Sequence, residues 1–600
     1  MKLKISPTTL ALALFFSFIV VPALYAADWS RVPSWNPGDG VDSIKVVSAI
    51  EEDRNLVIAE TRDSLGNYYP DVLLYTINND GDKLSGPFTY GGYWTARAYD
   101  GFSEYDSSSG KHIFNVFGYE YISYSVKQAT FFRVYEDGTY VLNGSNKNWH
   151  HFFNPEGEEF VDASSGYYAG GKLSNGNYLA VGEIKMPNAD NTSYNPLVVC
   201  FSSSGEVLWF LVLDGSEVSQ VFDNYDKGVD FVEHNGFIYV LIDSRSEGPG
   251  TEYNNHAYKI VKLNMSDGSY LDSETFGYYD NDLPVKILVY ENDFIVYGYA
   301  KRDIPDFHIF IDRINPDSLE ELPTYPYLFD SFNGSYGHYA NDMLINEGIV
   351  HMTGSMVDQE TDRRLFHMGF NLETKELVYY KLVGEQAEGE NIDYRGISLL
   401  MTSDGDILVG GSRCDANENQ WDYFLSYLDL SLLKETQAIS LNAGWNLVSL
   451  YVQPGDTAIA EVLADILPSC EKVWRLVDGA WRLYDPNDPF FSDLEKLAAG
   501  QSFMVKMAAA ATLSVNGFRS DSGQALASGW EMPGYLSDIT RPCGEALAAI
   551  SGDYDKVWGM ADGTWQLYDP DDPAASDLLE MGPGRGFMIK INNNCTWVLP

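Results

Sequence analysis

Residues 174–183 read "SNGNYLAVGE". A turn sequence rich in Asn and Gly gives way to an unbroken apolar run that ends in an acid. Asn and Gly tolerate the backbone angles of a tight reversal, and a short apolar run bounded by turn residues reads as a strand packed on both faces. The same pattern returns in "LVIAE" at 56–60, "NVFGY" at 115–119, "YVLID" at 239–243, "IVYGY" at 295–299, "VHMTG" at 350–354 and "ILVGG" at 407–411. These runs recur every 55 to 64 residues, several behind turns such as "EHNG" or "SDGD".

A polar loop and a second apolar strand follow each run, as in "DVLLYTI", "ATFFRVY", "PLVVCFS", "AYKIVKL", "DFHIFID", "LFHMGFN" and "DYFLSYL". A turn and a further strand come next, clearest in "SSSGEVLWFLVLDG". Each unit therefore offers about four short strands, and helical periodicity is nearly absent between 40 and 436. Four-stranded units that bury one another's faces close into rings of typically four to eight. The spacing predicts a mainly β chain with a seven-bladed β-propeller over 28–436. Two β-sandwiches are the alternative, but they do not require one pattern at an even spacing seven times over. The stretches "GEVLWFLVLDG", "HNGFIYVLID" and "TSDGDILVGGS" resemble the β-propeller repeats common in exported bacterial proteins. That family spans binding proteins, scaffolds and some enzymes, so the resemblance implies a ring and leaves function open.

Beyond the ring the chain repeats itself on a different period. "WRLYDPNDP" at Trp481–Pro489 returns as "WQLYDPDDP" at Trp565–Pro573, and the copies align without a gap at an offset of 84. Two small α+β repeat domains are expected, over 437–520 and 521–600. Their form, "GWN.VSL" followed by "W..DG.W..Y.P", resembles repeats at the C-termini of exported bacterial proteins, for which no activity is implied. "VWRLVDGAWRLY" reads as a hairpin with a two-residue turn. Pairing Val477 with Ala480 sets Leu476 opposite Trp481 and Trp474 opposite Leu483, giving a Trp/Leu face that reads as core rather than as a sugar platform.

Two readings of the "YDPNDP" element stay open. Asp-Pro is a turn former, and "SDLEKL" offers a Ser492…Glu495 capping box for a helix. Alternatively Asp485, Asp488 and Asp493, with Asp569, Asp572 and Asp577 in the copy, gather around calcium, although the central Gly and final Glu of an EF-hand loop are missing.

The chain of 600 residues carries 86 acidic and 39 basic side chains, a formal charge of -47. That charge repels phosphate backbones and anionic lipid, so nucleic acid is excluded as a partner class. Lys2 and Lys4 precede the apolar run Leu10 to Val21, and "PALYAA" follows, which reads as a signal peptide over 1–26 and an exported protein, secreted or at the cell surface. No later segment is apolar for long enough to span a membrane as a helix. Five cysteines are too few for a disulfide framework; Cys543 and Cys595 share one repeat and form the candidate pair.

No catalytic motif stands out. All nine histidines lie between His112 and His367; His150-His151 lacks the spacing of a helical zinc site and reads as a solvated loop pair. The loops expected on one side of the ring are rich in Tyr with Asp: Tyr99-Asp100, Tyr225-Asp226, Tyr279-Asp280 and Asp393-Tyr394. Tyrosine supplies rigid amphipathic contact area and the acids supply orientation, a pairing suited to a glycan or a protein loop. Binding or scaffolding is the expected function. The alternatives are a carbohydrate-active enzyme using carboxylates in the propeller mouth, and a structural surface component that self-associates through its C-terminal repeats.

Overall fold

A computed structural model describes residues 29–31 and 43–599, apart from 52, 62–70, 91–95, 124–125, 143–149, 154–162, 186–193, 214–225, 246–255, 278–281, 304–305, 324, 330–336, 358–362, 374, 384–391, 416–419, 478 and 521–522. The expected signal peptide lies outside them. The chain divides into two compact units, one of residues 1–342, 353–365 and 383–432, the other of 343–352, 366–382 and 433–600. Among the described residues no helix is long and apolar enough to cross a membrane.

Among the described residues, five antiparallel four-stranded sheets lie wholly within the first unit. Four of them run in simple chain order, as in Ser164–Lys172, Tyr178–Lys185, Tyr194–Phe201 and Val207–Val212. The recurrent apolar runs of the sequence are the second strands, and they are buried along nearly their whole length because a neighbouring sheet covers each face. Outermost strands such as Val207–Val212 face solvent. Apolar clusters join consecutive sheets: Leu56, Ile58 and Leu74 pack with Phe114, Val116 and Phe132, while Phe117 and Phe131 pack with Tyr178, Leu197 and Phe201. Ile44, Val57 and Tyr75 of the first sheet pack with Leu408, Tyr423 and Leu425 of the last. This radial packing of four-stranded sheets is a β-propeller.

The last sheet explains how the ring closes. Its strands Ile392–Met401, Ile407–Asp415 and Gln420–Leu428 are completed by Trp29–Arg31, which pairs antiparallel with Leu425–Tyr427.

In the second unit the hairpin register is the expected one, with Leu476 opposite Trp481 and Trp474 opposite Leu483, and the copy repeats it. The helical content is less than expected: among the described residues the α-helices, Ile459–Val462 and Cys543–Ala546, are single turns. No helix starts at Ser492. Its Oγ instead accepts the Asp485 N–H at 2.9 Å, and Asp493 accepts the Leu483 N–H at 2.6 Å, folding the chain back along the strand Ala480–Tyr484. Asp569, Ser576, Leu567 and Asp577 make the same bonds in the copy. The repeated "YDPxDP" is a hydrogen-bonded corner.

The Trp/Leu face is only partly core. Val473, Tyr484, Phe503 and Val505 fill the first repeat's own core from the opposite face of the sheet, and Trp481 and Trp565 remain 45% and 39% exposed. What covers the middle of the Trp/Leu face is the other repeat. Leu447, Leu476 and Met504 meet Met532, Met560 and Met588, three pairs of equivalent positions in one shared cluster. Backbone bonds repeat with the same symmetry: Ser449 N to Gly584 O at 3.2 Å matches Gly534 N to Gly500 O at 2.7 Å, and Gly586 N to Leu447 O at 3.0 Å matches Ser502 N to Met532 O at 2.9 Å. The two repeats are a pseudo-two-fold pair. Met532→Ala, which empties the centre of that cluster, is expected to cost about 2–4 kcal/mol in urea unfolding; an unchanged midpoint would show that the seam adds little to stability.

Candidate functional site

The innermost strand of each sheet in the first unit carries a β-bulge near its middle. Register shifts fall between Val46 and Ser48, Ala98 and Asp100, Tyr167 and Ala169, Gly228 and Asp230, Pro284 and Lys286, and Gly396 and Ser398. A bulge takes one residue out of the ladder and re-aims its neighbours. The glycine that recurs in the second strands sits opposite: a Cβ on Gly118, Gly182 or Gly411 would lie 1.9–2.1 Å from the inner strand's carbonyl oxygen. The omitted residues Val47, Tyr99, Tyr168, Val229, Val285 and Ile397 converge on a pocket of about 180 Å³, which Asn341 and Asp342 also line.

Charge lies just inside it. Asp100 accepts the Gly101 N–H at 2.8 Å and the Gly170 N–H of the next sheet at 2.9 Å. Asp230 accepts the Ile287 N–H at 3.0 Å, and Asp342 accepts the Leu399 N–H at 2.8 Å. Ser398 Oγ accepts the Val46 N–H at 2.8 Å, joining the last sheet to the first. Lys286 Nζ pairs with Asp342 at 2.5 Å, and Lys45 Nζ donates to the Tyr99 carbonyl.

Desolvation raises the pKa of Asp100 and lifts that of Asp230 to about 7, with Lys286 opposing both shifts. Burial alone would lower the Lys286 pKa, but Asp342 and Asp230 more than reverse that. Lys45 is lowered by burial despite Asp100 and Glu60.

Tyr99 and Tyr168 of the pocket lining join a group of aromatic rings and cations. Tyr99 lies 4.9 Å from Tyr168 and 5.8 Å from Tyr119, ring to ring. Lys127 sits 4.8 Å over Tyr119 and pairs with Glu183 at 2.5 Å, and Lys227 sits 5.6 Å over Tyr168. Lys45, Arg97, Lys227 and Arg395 each stand two residues before the bulge on their strands.

Of the residues expected from sequence, Tyr99 and Asp100 line this pocket together. Tyr225, Tyr279 and Asp280 lie outside the described residues. Asp226 is fully buried, its N–H donated to the Tyr194 carbonyl at 3.0 Å, so it is turned inward rather than presented. Asp393 accepts the Arg363 N–H at 3.0 Å, and Tyr394 is 9% exposed against Phe424, a packing position.

Asp485, Asp493, Asp569 and Asp577 serve the two corners through backbone N–H groups, and Asp488 and Asp572 cap neighbouring turns through their carbonyls. Among the described residues no three His, Cys, Asp or Glu side chains are gathered as a metal ion would need.

Cys543 and Cys595 are both free thiols, a correction to the expected pair: Cys543 is buried with its Sγ turned to the Leu578 carbonyl at 3.3 Å. His150 is not in a solvated loop either. It belongs to the strand His150–Phe152, lies 3.0 Å from Thr130 Oγ1, and burial pulls its pKa down to about 4.

Sequence reasoning missed Tyr168, Asp230, Lys286 and Asp342. A signal was present: Ala98-Tyr99-Asp100, Gly228-Val229-Asp230 and Ala340-Asn341-Asp342 each place a small residue two positions before an Asp.

No family model matches the chain, and no curated protein matches it. Among solved structures it is similar to the β-propeller domain of the Trilobed protease from Pyrococcus furiosus, at 9% identity, covering 64% of this chain and 95% of that one, with a TM-score of 0.34. It is also similar to Drosophila Plexin A in complex with Semaphorin 1b, at 9% identity, 69% and 91% coverage and a TM-score of 0.35. Quinohemoprotein alcohol dehydrogenase from Comamonas testosteroni gives 10% identity, 67% and 76% coverage and a TM-score of 0.34. Likeness at this distance assigns no activity.

Asp230 has an ordinary pKa of 3.8 when unfolded and about 7 when folded. Between those values the folded chain keeps a proton that the unfolded chain has lost, so this group's contribution to stability is lost as pH rises toward and through 7. Asp230→Asn retains an acceptor for the Ile287 N–H. At pH 8 it is expected to be more stable than the parent by on the order of 1–3 kcal/mol in urea unfolding, with the gap closing near pH 4. A less stable variant at pH 8 would mean that Lys286 requires both carboxylates charged.

Proposed function

We propose that the chain is an exported, non-catalytic binding or scaffold protein. Its propeller, read as seven blades over 28–436, takes a glycan or an extracellular protein loop at the Tyr99–Tyr168 mouth, and the repeats at 437–520 and 521–600 space, anchor or assemble it. One observation carries this reading: Asp100, Asp230 and Asp342 each commit an oxygen to the backbone N–H of a neighbouring sheet. Carboxylates so engaged hold the walls of the pocket, whereas a general acid and base must be able to reach a bound substrate. The tyrosine rings at the rim supply contact area with little side-chain entropy to lose.

A second reading, an enzyme acting on carbohydrate at the same mouth, has one observation in its favour. Asp230 is tuned to about 7, the range of a proton donor at neutral pH.

The two readings part in one experiment. The full chain is screened on a glycan array and against extracellular protein extracts, with calcium and with chelator, and any captured ligand is then incubated to look for turnover. Capture weakened about tenfold or more by Tyr99→Ala with Tyr168→Ala, with the ligand recovered intact, is the expected result. Turnover lost in Asp230→Asn would establish the enzyme instead. No capture under any condition would move the function away from the mouth.

A further inference from the structure

The first unit carries a second group of aromatic rings with a cation, and its charge is arranged differently from the group around Tyr99. Tyr299, Phe307 and Tyr339 are half-buried, their ring centroids 5.1, 5.6 and 5.9 Å apart. Arg363, also half-buried, stands over Tyr339 at 5.3 Å from the ring centroid. All four residues belong to the first unit.

Register ties this group to the pocket. Tyr339 stands two residues before Asn341, which lines the pocket, as Arg97 stands two before Tyr99 and Arg395 two before Ile397. Leu283 holds the same place before Val285, and Tyr299 lies opposite Leu283 as Tyr119 lies opposite Arg97. The sheets repeat one strand order from their inner strands outward, so matching steps along the inner strands lie at one level about the axis. The two aromatic groups are therefore counterparts at the same mouth.

Their cations differ. Lys127, over Tyr119, is neutralised by Glu183 at 2.5 Å. Among the described residues no carboxylate pairs with the Arg363 guanidinium. Asp393 accepts the backbone N–H of Arg363 at 3.0 Å, and its other oxygen faces Arg395 at 3.7 Å. The Arg363 charge is felt nearby: burial lowers the Arg395 pKa, Arg363 lowers it further, and Asp393 opposes both. With 86 acids to 39 bases the chain has carboxylates to spare, yet this guanidinium is held on a ring face.

We propose that Arg363 and the rings of Tyr299, Phe307 and Tyr339 form an anion subsite of the mouth, which takes a sugar bearing a carboxylate or a sulfate ester. The inference rests on the reading of the mouth as a glycan site and narrows that reading to acidic glycans. Tyrosine and phenylalanine rings offer an apolar face to a pyranose. A guanidinium stacked on a ring keeps its edge N–H groups for a planar, bidentate oxyanion contact, and stacking leaves it less freedom to lose on binding. The overall charge of -47 opposes a long polyanion, so a short oligosaccharide is the fitting occupant.

The full chain is tested on an array in which each carboxylated or sulfated oligosaccharide stands beside its methyl-esterified or desulfated counterpart, with calorimetry on the members captured. Acidic members are expected to bind about tenfold or more tightly than their neutral counterparts. Arg363→Met, which keeps the length of the side chain, is expected to bring the two to parity with an unchanged melting temperature. Arg363→Lys keeps the charge without the fork and is expected to retain part of the preference. A lesion that merely disturbed the fold would weaken both counterparts alike, whereas the ratio reports the anion contact. Preference for carboxylated or for sulfated members supports the subsite in either case and identifies the oxyanion.

Equal binding of acidic and neutral members overturns the proposal, as does an acid preference that both Arg363 variants leave intact. Capture of neutral glycans that depends on Tyr99 and Tyr168 but not on Arg363 would overturn the subsite and leave the mouth reading standing. A parent chain that captures no glycan overturns both.

Discussion

A carboxylate reaching across to a backbone N–H of the next sheet is the constraint on which the ring's interior depends. Each inner strand bulges, and a bulge disturbs the ladder around it, so a polar backbone group near the axis needs a partner from elsewhere. Asp100 serves Gly170, Asp230 serves Ile287, Asp342 serves Leu399, and Ser398 does the same for Val46. The bulges also open the pocket that these groups line. Tying the walls together with carboxylates brings negative charge into a poorly hydrated space, and Lys286, beside Asp342 and within the field of Asp230 and Asp100, offsets part of it.

The fold was legible because its strongest signal is one that burial imposes. Second strands are covered on both faces, so they read as continuous apolar runs, and all of the runs from "LVIAE" to "ILVGG" fall within observed strands. The hairpin register was legible for a similar reason, since a two-residue turn fixes which residues face each other. The pocket was harder to see. A bulge shifts register without any change in composition, so Asp230 and Lys286 look in the sequence like ordinary polar positions on amphipathic strands. The C-terminal hairpin was legible only in part, because pattern alone shows that a face is apolar, not what covers it; the repeat's own core lies on one face of that sheet and the sister repeat on the middle of the other.

That sisterhood gives the tandem duplication a physical rationale. A single repeat would leave Leu447, Leu476 and Met504 facing water, and a second copy of the same fold supplies Met532, Met560 and Met588 in matching positions. Because both halves are on one chain, the pairing is intramolecular and holds at any dilution. Methionine suits such a seam, since an unbranched, polarizable side chain adapts to imperfect symmetry.

The three-residue strand Trp29–Arg31 bears on the order of events in folding. Its partners are Leu425, Ser426 and Tyr427, nearly four hundred positions along the chain. Four of the five sheets that lie wholly in the first unit form from local hairpins, whereas this seam joins the most distant segments of the ring and carries the greatest loop-closure entropy. Until it forms, the last sheet keeps an open edge on Gln420–Leu428 to which another chain could add a strand. Its closure is thus the step that separates a finished ring from one still open to misassembly.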